Sequence, residues 1–297
     1  MLLGEPAFNS RVNDIEAAIG AKNIILNQLK KRLALAKEME DEDDAAAEQE
    51  EVETKMKEAN KAISAFEKLL ADVRRDWGNE DNRIIGHVVL SPPISVNFGK
   101  DGYTDDWAVV EILPTMISKN NFVGNAIDLG SIDIDELTSW MYPYPANPNS
   151  FAYPGDRLLR CFGMVSDQEM LKPPAGTKDQ DNDPVIILKN GNTSKLTVGG
   201  LNTIRSFVRY YFDGKPGEMS KEIAVLPRNS KSGPFSAPGD SGSVVVDSVG
   251  RICGILTGGD GATDVSDCTF LTSINFLAMR LKMFGFNPNF FPLPTDL

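Results

Sequence analysis

Ser236-Ala-Pro-Gly-Asp-Ser-Gly-Ser243 is the stretch of this sequence best suited to chemistry. It sets one serine, Ser241, on a glycine-flanked turn that runs into the apolar strand Val244-Val-Val246. A nucleophilic serine needs an exposed hydroxyl and backbone N–H groups aimed at the charge that develops on an attacked carbonyl oxygen. Gly239 can adopt backbone angles that turn its own N–H toward such a site. The N–H of Ser241 supplies a second donor, and Gly242 leaves room for a substrate backbone. The same residue types also build ordinary hairpin turns, so the flanks matter. A turn at Asp247-Ser-Val-Gly250 is followed by Arg251-Ile-Cys-Gly-Ile-Leu-Thr-Gly-Gly259, a second apolar strand that returns and ends in glycines.

The elements that must hold this turn are short strands. From Asp156 onward they recur at Leu158–Val165, Pro184–Leu188, Leu196–Val198, Ser206–Phe212 and Glu222–Leu226, a spacing that predicts a barrel or sandwich. Upstream, Arg83–Leu90, Ile94–Phe98 and Asp106–Ile112 read as strands. A long connection rich in turn residues follows, including Tyr142-Pro-Tyr-Pro-Ala-Asn-Pro148. Ile274–Phe284 reads as a terminal helix with Gly285 as its stop.

The N-terminal quarter has a different period. Val12, Ile15, Ile19, Leu26, Leu29, Leu33 and Ala36 fall at three- and four-residue steps, as do Val52, Met56, Ala59, Ile63, Phe66, Leu70, Val73 and Trp77. Two such seams joined by the acidic loop Glu40–Asp44 predict either an antiparallel helical hairpin or a coiled coil that dimerises or takes a partner helix. The region reads as scaffold without chemistry of its own.

Bulk composition excludes several classes. A net charge of −12 comes mostly from Glu38–Glu53, which has ten acidic residues and no basic one. Such a chain is not expected to bind nucleic acid or an anionic membrane surface. No apolar run approaches a membrane span, and Met1-Leu-Leu-Gly-Glu-Pro6 lacks the features of a secretory signal. Cys161, Cys253 and Cys268 are odd in number and far apart, which suits reduced thiols in an intracellular compartment. One histidine and no zinc spacing leave no metal or cofactor expected.

The Ser236–Gly259 region resembles the nucleophile region of chymotrypsin-like (trypsin-like) serine proteases. Lys189-Asn-Gly-Asn-Thr-Ser-Lys-Leu-Thr-Val-Gly199 adds a Lys-x-Gly-x-Thr and Thr-x-Gly pattern similar to that of the family's second barrel. Asp106-Trp-Ala-Val-Val110 resembles the Asp-x-Ala-x-x strand that carries the base-orienting aspartate, and Asp106 rather than Asp105 matches it. The layout is similar to that of fungal trypsin-like proteins in which a helical hairpin is inserted before that strand. The matching segments include Ile85-Gly-His-Val-Val-Leu-Ser-Pro-Pro-Ile94, Asp106-Trp-Ala-Val-Val110, Asn125-Ala-Ile-Asp-Leu-Gly130, Tyr142-Pro-Tyr-Pro-Ala-Asn-Pro148 and Lys231–Ser243.

The resemblance implies a mainly β, two-barrel fold whose first barrel is incomplete. Residues 1–11 would be a strand remnant, 12–77 the hairpin, 78–150 the partial first barrel and connection, and 151–297 the second barrel with its helix. It implies Ser241 as nucleophile, Asp106 as base orienter, and Gly239 and Ser241 as oxyanion donors. Phe235 would help shape the specificity pocket, and Thr257, Gly258 and Gly259 would form its wall and bind substrate backbone. No acidic pocket floor for basic side chains is evident.

The base is the departure. His87, the sole histidine, is the candidate within this chain. Its context, Ile84-Ile-Gly-His-Val-Val-Leu90, reads as mid-strand and not as the family's Thr-x-x-His segment. In the resembling group the base-bearing strand lies upstream of where this sequence starts. The expected function is therefore a serine endopeptidase, inactive or weakly active as drawn. The alternative is a non-catalytic peptide-binding or scaffold protein that associates through its helices. Either way the partner is a polypeptide.

Overall fold

The protein is described by a computed structural model covering residues 4–142, 150–173, 185–212, 214–261 and 267–296. Met1–Leu3, most of the Tyr142–Pro148 connection and Pro184 lie outside the described residues. The chain is mainly β with an N-terminal helical pair, in two units: Met1–Val89 with Val110–Met116, and Leu90–Val109 with Ile117–Leu297.

In the first unit, helices α1 (Glu5–Ala36) and α2 (Glu42–Trp77) form an antiparallel hairpin. Glu16 pairs with Arg74 and Arg32 with Glu48, which fixes the direction of the pairing. Every seam residue named above is buried or half-buried. Helix α2 starts where Asp41 accepts hydrogen bonds from the N–H groups of Asp43 and Asp44, and the acidic first turn suits the positive end of the helix. Residues 5–11 are helical, a correction to the strand expected over 1–11. Pro6 suits a first turn, and Phe8, four residues before Val12, extends the buried seam. Strands β1 (Gly86–Leu90) and β4 (Val109–Ile112) pair as a two-stranded ribbon.

The remaining strands are β2 (Ser95–Phe98), β3 (Tyr103–Asp105), β5 (Ala126–Asp128), β6 (Leu158–Arg160), β7 (Gly163–Met164), β8 (Val185–Gly191), β9 (Lys195–Phe212), β10 (Lys215–Pro227), β11 (Val244–Asp247), β12 (Arg251–Asp260) and β13 (Cys268–Ser273). Short helices α3 (Ile134–Met141) and α4 (Asp167–Leu171) precede β8, and α5 (Ile274–Met283) follows β13. The sheet order β11-β8-β9-β10-β13-β12, with β12 pairing back onto β11, closes six antiparallel strands into a barrel. β7 adds to β12 in parallel. Ile187, Leu201, Ile223, Val225, Val245 and Leu271 fill the main core of this unit. β2–β3 and β5–β6 remain separate two-stranded pairs, so no first barrel closes among the described residues.

β3 is tied firmly to this barrel. The Thr104 N–H and hydroxyl donate to the buried Glu222 carboxyl on β10, at 2.9 and 2.6 Å. Burial pushes that carboxyl above its ordinary pKa. The neighbouring Asp105 makes a two-pronged pair with Arg280 of α5, at 2.9 and 2.8 Å. The strand expected over Asp106–Ile112 begins only at Val109. The Trp107 indole N–H turns back to Asp105 at 2.7 Å and its ring packs on Phe284, which holds residues 106–108 out of the ladder.

Candidate functional site

Ala237-Pro-Gly-Asp240 forms a tight turn closed by a hydrogen bond from the Asp240 N–H to the Ala237 carbonyl at 3.0 Å. Proline second and a glycine with φ of 100° third suit a type II turn. A Cβ on Gly239 would stand 2.5 Å from the Thr193 hydroxyl oxygen, so space as well as backbone angle requires glycine here.

The two peptide planes that matter are held in place. Thr193 donates its hydroxyl to the Pro238 carbonyl at 2.9 Å. In a trans peptide the carbonyl and the following N–H point in opposite directions, so the Gly239 N–H is turned away from Thr193. The Asp240 carbonyl likewise accepts from the Ser243 N–H at 3.0 Å, which turns the Ser241 N–H outward. Neither the Gly239 nor the Ser241 N–H donates to a protein atom among the described residues. Both N–H groups are thus uncommitted among the described residues, and Ser241 is exposed beside them.

Beneath the turn lies a buried ionic lock that was not predicted from sequence. Asp240 and Lys189 are both fully buried, with the ammonium 3.1 Å from the carboxylate. The Ser194 hydroxyl accepts from Lys189 at 2.6 Å and donates to Asp240 at 2.5 Å. The N–H groups of Thr193, Ser194 and Ala237 complete the Asp240 shell at 2.7, 3.2 and 3.0 Å. Burial by itself would raise the Asp240 pKa. The Ser194 and backbone hydrogen bonds outweigh it and hold the carboxyl well below the usual carboxylate range. Burial lowers Lys189, opposed by its hydrogen bond and charge contact with Asp240. β8, the β8–β9 turn and the Ser241 loop are therefore joined through one carboxylate adjacent to the serine.

Ser241 opens onto a cavity of ≈ 350 Å³ walled by Ser236, Ala237, Leu256, Gly258 and Gly259. Of the three residues expected in the pocket wall, Gly258 and Gly259 line this cavity and Thr257 does not. Phe235, expected to shape the pocket, is buried in the core with its ring 5.4 Å from the Lys189 ammonium, and it does not line the cavity. Thr257 turns its hydroxyl to the Phe270 carbonyl at 3.3 Å. Two aspartates, Asp260 and Asp267, do line the cavity, contrary to the expectation that no acidic floor exists. They come from the end of β12 and the approach to β13, and no local sequence signal links them.

Asp106 is exposed, makes no hydrogen bond or ion pair among the described residues, and does not line the cavity. Asp105 has both oxygens committed to Arg280 and Trp107. His87 sits on β1, exposed, with Nε2 3.3 Å from Glu111 of β4; it belongs to the first unit, and Ser241 and Asp106 to the second. The structure thus brings Ser241, Gly258 and Gly259 to one cavity, while Gly239 sits in the turn before Ser241 and outside its lining.

No protein-family model matches the chain, and no curated protein matches it. Among solved structures the chain is similar to a glutamic acid-specific serine protease that uses a histidine triad in substrate binding, at 13% identity and TM-score 0.38 over 70% of this chain and 75% of that one. It is also similar to the chymotrypsin of Cellulomonas bogoriensis, at 19% identity and TM-score 0.25 over 37% of this chain and 50% of that one. A protease of M. tuberculosis in its active form matches at 15% identity and TM-score 0.26, over 45% of this chain and 62% of that one.

Proposed function

We propose that this chain is a chymotrypsin-like serine endopeptidase scaffold acting on polypeptides, with Ser241 as nucleophile and the Gly239 and Ser241 N–H groups as oxyanion donors. The observation that carries the reading is an exposed serine that lines a cavity, in a turn whose Gly239 and Ser241 N–H groups are uncommitted among the described residues. In the reaction the Ser241 oxygen bonds to the scissile carbonyl carbon and the carbonyl oxygen takes the negative charge. Collapse breaks the carbon–nitrogen bond and leaves an acyl-serine, the serine proton ends on the departing amine, and water then hydrolyses the ester. Gly258 and Gly259 present backbone to an extended substrate.

The serine proton needs an acceptor, and the family's acceptor is an imidazole oriented by an aspartate. We assign the orienting role to Asp106, because Asp105 is consumed by its buried ion pair. The one histidine stands within β1 beside Glu111 and not in the family's Thr-x-x-His segment, so this chain by itself is read as weakly active. Loss of the base costs several orders of magnitude while the oxyanion hole preserves a residual acceleration. The test is labelling with a fluorophosphonate, mapped by peptide mass spectrometry. Ser241 is expected to be modified, Ser241→Ala to remove the label, and His87→Ala to leave its rate unchanged. Labelling that avoids Ser241 in folded protein overturns the reading.

The second reading, peptide binding without cleavage, is favoured by one observation, the placement of His87. A peptide that binds the folded chain and is recovered intact, with no fluorophosphonate labelling of the folded protein, supports it.

A further inference from the structure

We infer that the outer face of the β9–β10 ribbon docks the acidic turn Glu38–Asp44 of a second copy of this chain. The inference stands apart from the Ser241 reading and uses none of its residues. Beyond the residues that pair with β8 and β13, β9 and β10 continue as a two-stranded ribbon, with Phe207 opposite Lys221 and Arg209 opposite Met219. Residues opposite each other in such a pair point to the same side, and alternate residues along a strand share it. Phe207, Arg209 and Tyr211 therefore share one face with Met219 and Lys221. Phe207 is 67% exposed and Tyr211 65%, with Arg209 and Met219 exposed between them. The opposite face is turned inward, where Ser220 and Glu222 are buried. Arg209 and Lys221 make no ion pair among the described residues. Glu218, in the bulge of β10, is engaged elsewhere and accepts from Asn97 at 3.2 Å.

Exposed aromatic and methionine side chains grouped around an arginine have the composition of a protein interface. The sign of the charge names the occupant. A chain of net charge −12 repels its own copies, so contact between them falls where the sign reverses. The ribbon face is such a place, and its complement lies in the same sequence. Glu38–Glu53 holds ten acidic residues and no basic one, and all of the ten but Glu48 are exposed. Six of them, Glu38 and Glu40–Asp44, crowd the turn between α1 and α2, where Asp41 alone is engaged, as the cap of α2. Met39 stands 43% exposed within this turn and offers a thioether to the Phe207 and Tyr211 rings, a contact that sulfur and aromatic edges favour. Opposed surfaces of this kind steer encounter and fix the choice of partner.

The test is sedimentation velocity of the full chain over a range of concentrations. At low salt the chain is expected to sediment faster than a monomer. About 1 M salt, where the screening length is about 3 Å, should raise the dissociation constant at least tenfold. Arg209→Glu with Lys221→Glu should give a monomer, and so should Glu38→Lys with Glu40→Lys. Mixing the two variants should restore association, because lysine turns then meet glutamate ribbons and the two unaltered surfaces still match. Arg209→Ala, a milder change at an exposed position, should weaken association at least fivefold with an unchanged circular dichroism spectrum. A monomer at every concentration in low salt overturns the inference, as does association indifferent to salt and to Arg209→Ala. Failure of the mixed variants to associate while each remains folded shows that the acidic turn is not the occupant. A chain that stays monomeric yet binds single-stranded DNA or phosphatidylserine vesicles through Arg209 places another anion on this face and also overturns the inference. Labelling of Ser241 bears on none of these outcomes.

Discussion

Lys189→Met is expected to lower the stability of the barrel unit by about 3–5 kcal/mol, the range for removing one member of a buried ion pair. Methionine nearly fills the lysine stem, so lost packing contributes little. The damage comes from Asp240, left buried with a negative charge, and from Ser194, whose hydroxyl oxygen loses its donor. Urea unfolding should show a lower midpoint with an unchanged slope. The pH dependence has a defined sign. The folded Asp240 pKa lies below the ordinary aspartate value, so its contribution is fully present above about pH 4 and is lost as pH falls through the folded value. Removing Lys189 raises the folded value, and the deficit between variant and parent should therefore narrow below about pH 4. Lys189→Met with Asp240→Asn removes both charges and should recover part of the loss. An equal loss in single and double variants would show that packing, not the charge, is what Lys189 supplies.

Gly239→Ala is expected to slow modification of Ser241 by about 10²–10³-fold, the usual effect of losing one oxyanion donor. The new methyl cannot stand 2.5 Å from the Thr193 hydroxyl, so either that hydroxyl swings off and releases the Pro238 carbonyl or the peptide rotates, and both loosen the Gly239 N–H. A left-handed residue with a Cβ costs about 1–2 kcal/mol in any case. Gly242→Ala separates the two effects. Gly242 has φ of 86°, but a Cβ there meets nothing within 4 Å. It should lose comparable stability and keep most of its labelling rate. Equal labelling rates for the two alanine variants would mean that the Gly239 N–H is no oxyanion donor. Thr193→Val, which removes the hydroxyl that pins the Pro238 carbonyl, should fall between them.

Much of this arrangement is legible in the sequence where the signal is local. The Gly-Asp-Ser-Gly turn, its flanking strands and the two helical seams follow from spacing of a few residues. What fails is long-range. Lys189 and Asp240 are 51 positions apart, and nothing near either residue announces burial. Asp260 and Asp267 converge on the cavity only because β12 and β13 pair as neighbours. Leu196–Val198 and Ser206–Phe212 read as two short strands, yet β9 runs unbroken from Lys195 to Phe212. The glycine at 199 is a close approach, since a Cβ there would stand 2.6 Å from the Phe235 ring. Asp106–Ala108 reads as strand by pattern, and a single side-chain hydrogen bond from Trp107 to Asp105 overrides it. At the N-terminus the signal was present, because Phe8 continues the seam four residues before Val12.

The central claim is that Ser241 can close a tetrahedral adduct whose charged oxygen is received by the Gly239 and Ser241 N–H groups. A peptide boronic acid tests it without a base, because boron accepts the serine oxygen directly and the proton passes to solvent. Boron-11 NMR of the folded chain should show trigonal boron converting to a bound tetrahedral species, and Ser241→Ala should abolish the conversion. Boron that stays trigonal in the presence of folded protein, or that turns tetrahedral equally well with Ser241→Ala, would contradict the account.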